Sequence, residues 1–181
     1  FLAILQVMCE HPEVLRKLAE LLRVDEVQGS MYLDQIIKES FRLKPPVSVI
    51  PAHVVEHAFE FQGVKLQKDD SVLIAPYVCH HNPKAWKEPN HFDPERFSEE
   101  NEQGIPHGAY LPFGLGDRRC PGSDYALAVL KTYISALVSA FDMQIECNNT
   151  GLEAINLNLR QHHDWSRQKE SKADRPLELM D

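Results

Sequence analysis

Through residues 1–43, apolar positions recur every three or four residues, the period of helices that bury one face. The spacing predicts three helices. The first ends near Glu10, where His11-Pro12 interrupts it. The second covers 12–23, with Pro12 in its first turn and Val14, Leu15, Leu18 and Leu22 on its apolar side. Gly29-Ser30 reads as a loop. The third covers 32–43, carries Leu33, Ile36, Ile37 and Phe41, and stops at Pro45-Pro46.

The texture then changes to β-branched residues in short alternations. Strands are expected at 47–55, 58–61 and 71–75, with a turn at Gln62-Gly63. Cys79 falls at a strand end, and 82–88 reads as a short helix. Residues 90–111 are rich in Pro, Gly, His and charge and lack periodicity; so long a loop in a compact domain is usually functional or pinned by specific contacts. Ala126, Leu127, Leu130, Ile134, Leu137 and Val138 share one face of the clearest helix, 124–141. A short strand is expected at 152–159, and 162–181 reads as a polar, disordered tail. The expected fold class is mainly α with a small antiparallel β region.

Composition narrows the function more than the fold. With 181 residues, 43% of them hydrophobic, the chain can bury a real core. A net charge of −8 argues against a nucleic-acid binder held by phosphate contacts. No apolar run is long enough to span a bilayer, and the opening FLAILQVMC has no basic leader. The four cysteines form no CxxC pair, and Cys9 and Cys147 sit in apolar patterns as packed thiols. The histidines show no HExxH or zinc spacing, and no GxSxG or dinucleotide fingerprint occurs.

The run Phe113-Gly114-Leu115-Gly116-Asp117-Arg118-Arg119-Cys120-Pro121-Gly122 stands apart. It sets a cysteine at the end of a glycine-rich loop, just before a helix whose N-terminus favours negative charge. A thiolate there suits a large planar metal cofactor, and Arg118 can answer a carboxylate on that cofactor's rim. The bland reading of Cys120 is a structural thiol. A second constellation pairs Glu39 with Arg42 on one helix face, while Arg96 lies between aromatics in the long loop. A glutamate held between two arginines would lock that loop to the helix.

These three pieces, in this order, resemble the signatures of the cytochrome P450 family: Glu39-x-x-Arg42, then Pro94-Glu95-Arg96-Phe97, then Phe113-x-x-Gly116-x-Arg118-x-Cys120-x-Gly122. His11-Pro12-Glu13-Val14 and His80-His81-Asn82-Pro83-Lys84-Ala85-Trp86 resemble the family's connecting phrases. The resemblance implies the C-terminal part of that fold over 1–161, and a haem b cofactor (iron protoporphyrin IX). Cys120 would ligate the iron, Phe113 would pack beside the sulfur, and Gly116 and Gly122 would permit the tight loop. Arg118 would pair with a haem propionate, and His53 stands where many relatives carry another propionate-binding arginine. Glu39, Arg42 and Arg96 would be a structural triad. Val47, Ser48, Val49 and Ile50 would approach the substrate, as would part of 152–159.

The implied activity is oxidation of a lipophilic small molecule by O₂ and two electrons from a partner, a ferredoxin or a flavoprotein reductase. Asp117, Arg119 and Lys131 would face that donor. Two alternatives stay open: a haem-thiolate peroxygenase, isomerase or dehydratase without a redox partner, or a truncated chain without catalysis. The family's proton-delivering helix would lie upstream of Phe1, so the chain reads as one piece of a longer enzyme, inactive alone. An intracellular, cytoplasmic location is expected; membrane association is open.

Overall fold

The computed structural model describes residues 1–147 and 155–161, and the side chains of all of these except 51–53, 146–147 and 155–156. In chain order the helices are α1 (Leu2–Glu10), α2 (Pro12–Val24) and α3 (Glu26–Leu43). The strands β1 (Ile50–Val54), β2 (Phe59–Phe61), β3 (Val64–Leu66) and β4 (Ser71–Ile74) follow, then α4 (Pro76–His80) and α5 (Glu99–Glu102). The long helix α6 (Ser123–Ala140) leads into β5 (Phe141–Cys147) and β6 (Ile155–Gln161). Short 3-10 turns occupy Pro94–Phe97 and Gly116–Arg118. The strands pair as three two-stranded antiparallel sheets, β1 with β4, β2 with β3 and β5 with β6. The mainly helical fold with small antiparallel sheets is as expected.

The chain divides into two compact units. One joins residues 1–33 to the chain from Ala128 onward. Its core is Ile4, Leu5, Val7, Met8, Val14, Leu18, Leu33, Ile134 and Val138, the apolar stripes the helical period marks out. Lys17 caps the ring of Tyr32, its Nζ 4.1 Å from the centroid. Cys9 is disulfide-bonded rather than a packed thiol, its Sγ 3.3 Å from the Ile145 carbonyl oxygen. The other unit, Asp34–Leu127, holds the three motifs.

Several expectations need correction. Gly29-Ser30 is not a loop, because α3 begins earlier, at Glu26. Asp25 starts it: its Oδ1 accepts from the N–H groups of Val27 and Gln28 at 3.0 and 3.1 Å, filling donors a helix start leaves open. Gly29 is there for close approach. A Cβ on it would lie 2.7 Å from Leu22 Cδ2, 2.8 Å from Leu22 N and 2.9 Å from Leu22 Cα. Residues 47–49 are not strand, and β1 begins at Ile50. Pro76–His80 is helical where Cys79 was expected to end a strand. Residues 82–88 form turns instead of a helix.

The Gln62-Gly63 turn stands as expected, with φ of 48° and 81° joining β2 to β3, which the reading missed. Strand β5 was missed as well, although Phe141, Met143 and Ile145 are half-buried and Asp142 and Gln144 exposed. The expected strand 152–159 lies partly outside the described residues; its described part is in β6. The expected tail 162–181 lies wholly outside them.

Alanine at Gly29 tests the close approach. Helix propensity alone would favour it by about 1 kcal/mol. The clash is with backbone atoms that cannot swing away, and overpacking costs about 1–3 kcal/mol. Gly29→Ala is therefore expected to lower the thermal midpoint of the protein. An unchanged or raised midpoint would refute the packing role.

Candidate functional site

The last turns of α3 carry Glu39 and Arg42, both fully buried. Helical spacing puts them on one face, and the geometry between them is a bidentate fork. Arg42 Nε donates to Glu39 Oε2 at 2.6 Å, and Nη2 donates to Oε1 at 2.8 Å. Nη1 donates to the carbonyls of His80 and Pro89 at 2.8 and 2.6 Å, and Nη2 to that of His91 at 3.1 Å. A guanidinium has five N–H donors, and these five bonds use them all.

Arg96 completes the group, with Nε 3.4 Å from Glu39 Oε1. That contact is ionic only, since Nε is buried without a hydrogen bond. Its Nη2 donates to the Glu88 carbonyl at 3.2 Å, and Asp93 Oδ2 lies 4.0 Å from Nε. Asp93 also donates its backbone N–H to Glu39 Oε1 at 3.0 Å. Two arginines thus face two carboxylates. Glu88 holds a φ of 48°, rare for a residue with a side chain; Arg96 holds its carbonyl and Arg42 that of the next residue, Pro89.

Around this network the segment 79–111 packs its aromatics. Trp86 lies under Arg42, with Cζ 5.1 Å from the ring centroid, and donates Nε1–H to the Cys79 carbonyl at 3.1 Å. Trp86, Phe97 and Ala109 form a small core with Tyr110 against it. The Tyr110 hydroxyl donates to the Lys38 carbonyl at 3.0 Å. Burial first, then the charges of Glu39 and Glu102, push that phenol well above its ordinary pKa. Lys38 itself pairs with Glu102 at 2.6 Å.

The cysteine loop follows directly. Gly114 and Gly116 hold φ of 78° and 66°, a conformation side chains resist, so both glycines are required by the turn. Gly114 was not singled out from the sequence. Gly122 has no such backbone; a Cβ on it would simply touch Cys120 Sγ at 3.9 Å. Cys120 donates its backbone N–H to the Phe113 carbonyl at 2.9 Å, closing the loop. The Phe113 ring meets Phe41 of α3 edge-on, with centroids 5.8 Å apart. Cys120 is a free thiol at an exposed position, and Ser123 opens α6 three residues later. Arg118 is exposed as well. Arg119 Nη2 lies 3.4 Å from Asp124 Oδ1, an exposed pair.

Val47 and Val49 are about half exposed, and Ser48 accepts from Tyr77 N–H at 3.3 Å. Ile50 lies against the cysteine loop: its Cδ1 is 3.8 Å from where a Gly114 Cβ would be. His53 pairs with Val72 in the β1–β4 ladder, and its side chain lies outside the described residues. The structure therefore brings Glu39, Arg42 and Arg96 into one network, and Phe113, Gly116, Cys120, Gly122 and Ile50 to one loop. His80 was missed. Its fully buried ring lies between Arg42 and Leu111, and its sequence neighbours gave no hint of that.

A buried glutamate–arginine clamp and a glycine-turned cysteine loop thus lie in one compact unit. The sequence matches the family model Cytochrome P450 over residues 2–158. The chain belongs to the cytochrome P450 family. It is 35% identical to Cytochrome P450 3A16 of Mus musculus over 153 residues, 79% of this chain and 30% of that protein. It is 33% identical to Cytochrome P450 3A19 of Capra hircus aegagrus, over 79% of this chain and 69% of that one. With Lithocholate 6-beta-hydroxylase of Mesocricetus auratus it shares 32% identity, over 81% of this chain and 31% of that protein. The chain thus spans less than a third of the length of two of these relatives.

The clamp generates a prediction. Lysine offers three donors where arginine offers five, and it cannot form the fork. Arg42→Lys is expected to cost about 2–5 kcal/mol by leaving buried acceptors unmet. Arg42→Leu also takes from Glu39 its bidentate partner, leaving it only Arg96 at 3.4 Å and the Asp93 N–H, a loss of about 3–5 kcal/mol. Denaturant titration measures both, and a Lys variant within 1 kcal/mol of wild type, about the worth of a single net hydrogen bond, would contradict the count of bonds.

Proposed function

We propose that this chain is the haem-ligating part of a haem-thiolate monooxygenase that uses O₂ and two electrons to oxidise a lipophilic small molecule. The observation that carries the reading is Cys120: a free, exposed thiol at the end of a loop turned by two positive-φ glycines, in a family defined by haem. The residues fit that group. An exposed free thiol, with its own N–H tied back to Phe113, supports a ligand role over core packing.

When haem is bound, thiolate ligation pushes electron density to the iron and favours O–O cleavage. The chain's own residues do the rest. Cys120 would supply the ligand, and Phe113, braced by Phe41, would shield one side of the sulfur. The opening of α6 would stabilise its negative charge. Arg118, exposed and free to swing outward, would meet a propionate, and His53 would offer a hydrogen bond to another. Glu39, Arg42 and Arg96 would position and would not touch the reacting atoms.

Val47, Ser48, Val49 and Ile50 would form one wall of the substrate space. Exposed valines just ahead of Ile50, which itself reaches the cysteine loop, support a lipophilic substrate, and a hamster relative is named as a hydroxylase of lithocholate. Asp117 and Arg119 lie on the loop's outer face and would meet the electron donor, a ferredoxin or flavoprotein reductase; Lys131, half-buried on α6, is a weaker candidate. Residues 1–161 would act as one part of the family domain. No helix among the described residues is long and apolar enough to cross a membrane.

The test is spectroscopic and uses the full-length protein. Reduced and treated with CO, it is expected to show the red-shifted Soret band of thiolate ligation. Cys120→Ala should abolish that band. A variant that keeps it, or a wild type that never shows it, overturns the assignment. Turnover with peroxide alone, and none with electron donors, would instead favour the peroxygenase class.

A further inference from the structure

His80 is the largest fully buried polar ring among the described residues, with 0% exposure, and the scheme above gives it no role. It closes α4 and bridges two parts of the chain. Its Nε2 accepts the Leu111 N–H at 2.7 Å. Since that nitrogen accepts, the proton of a neutral ring sits on Nδ1, which faces the Arg42 carbonyl at 3.2 Å. The tautomer is fixed by its two partners.

Leu111 is the base of the cysteine loop. Its carbonyl accepts from Gly114 N–H at 3.3 Å, the turn glycine. Two residues past Leu111, the Phe113 carbonyl accepts the Cys120 N–H at 2.9 Å. A short series of hydrogen bonds therefore leads from the backbone of α3, through the imidazole, to the backbone of the proposed ligand. The Tyr110 hydroxyl, donating to the Lys38 carbonyl at 3.0 Å, also ties the neighbouring residue to α3, but it does not meet the Leu111 N–H. Phe41 and Phe113 touch through rings only, which fixes distance more loosely than a hydrogen bond.

We infer that His80 is a positioning residue for Cys120: its neutral imidazole ties the base of the cysteine loop to the end of α3 and so sets where the sulfur sits. Protonation would undo the tie. A proton on Nε2 would point at the Leu111 N–H, donor against donor. The charged and titratable groups around the ring are Arg42 and Glu39 on α3, His81 beside α4, and Tyr110, whose ring is 5.3 Å away. Arg42 donates to the His80 carbonyl, so a second positive charge is unwelcome. Burial first, and more weakly the charges of Arg42 and His81, bring the imidazole from 6.5 to about 4, against hydrogen bonds to the Arg42 and Phe41 carbonyls that pull upward.

The sign follows from proton counting. Between about 4 and 6.5 the unfolded chain binds the proton and the folded one does not, so stability falls as pH drops through that window. Above 6.5 this group adds no pH dependence.

Two variants separate hydrogen bonding from packing. Gln offers both an acceptor and a donor; Phe fills the space with neither. In the full-length protein, peptides spanning 111–120 should exchange amide hydrogen roughly tenfold faster in His80→Phe, the worth of about one buried hydrogen bond. His80→Gln should exchange like wild type. The fraction of thiolate-type CO band should fall in His80→Phe and hold in His80→Gln. The acid loss of that band below 6.5 should move to lower pH in His80→Gln, which has no proton to gain.

Equal exchange in all three proteins overturns the inference. So does equal damage in both variants, because keeping the hydrogen-bonding groups would then protect nothing. The thiolate readout rests on the haem reading; the exchange readout does not. A wild type without the thiolate band defeats the haem reading alone and leaves exchange to decide on His80.

Discussion

Everything in the 34–127 unit is arranged so that Arg42 can be charged and dry at once. Removing a guanidinium from water is costly, and attraction to Glu39 alone does not recover the cost. The remainder comes from three carbonyls, at His80, Pro89 and His91, brought in at hydrogen-bonding distance. Fixing those carbonyls fixes the path of 80–91. That path sets Trp86 beneath the guanidinium and builds the small core on which Phe97, Ala109 and Tyr110 rest. Leu111 comes next, and with it the cysteine loop. Order passes from a buried charge to an exposed thiol by way of ordinary packing.

The exposure of Cys120 is the counterpart of that burial. The five donors of Arg42 are all met within the chain, while the sulfur, Arg118 and the valines at 47 and 49 are exposed. Positive-φ glycines let the loop turn away without a side chain to obstruct it. The rigid part and the chemical part are thus separate: α3 and 79–111 hold shape, and 113–120 presents a ligand.

How much of this was legible in the sequence depended on the range of the interaction. Helical periods showed α1, α2 and α6 well, because each buries one stripe. Glu39, Arg42 and Arg96 were legible as motifs, though five separate bonds on Arg42 were not, since backbone carbonyls leave no mark in a sequence. Gly29 misled for a related reason: glycine signals a turn or a close approach, and only the position of Leu22 tells which. Strand β5 has clear alternation but follows α6 without a break; the expected helix, 124–141, took in its first residue and 142–147 was given no element. His80 was invisible because its partners are two backbone groups, one of them 31 residues away. The disulfide at Cys9 was missed because spacing says little about which sulfurs meet.

The acceptors of Arg42 lie 38, 47 and 49 residues along the chain from it. Contacts that distant are slow to find, since each closes a long loop before any reward arrives. No fragment between them can be partly docked at a profit: a guanidinium buried with one carbonyl missing is worse off than one left in water. Cooperative folding of this region is the expectation that follows. The β2–β3 hairpin, whose residues are almost all exposed, lies outside that network. The clamp is, in effect, a checkpoint: the chain reaches it complete or does not pass.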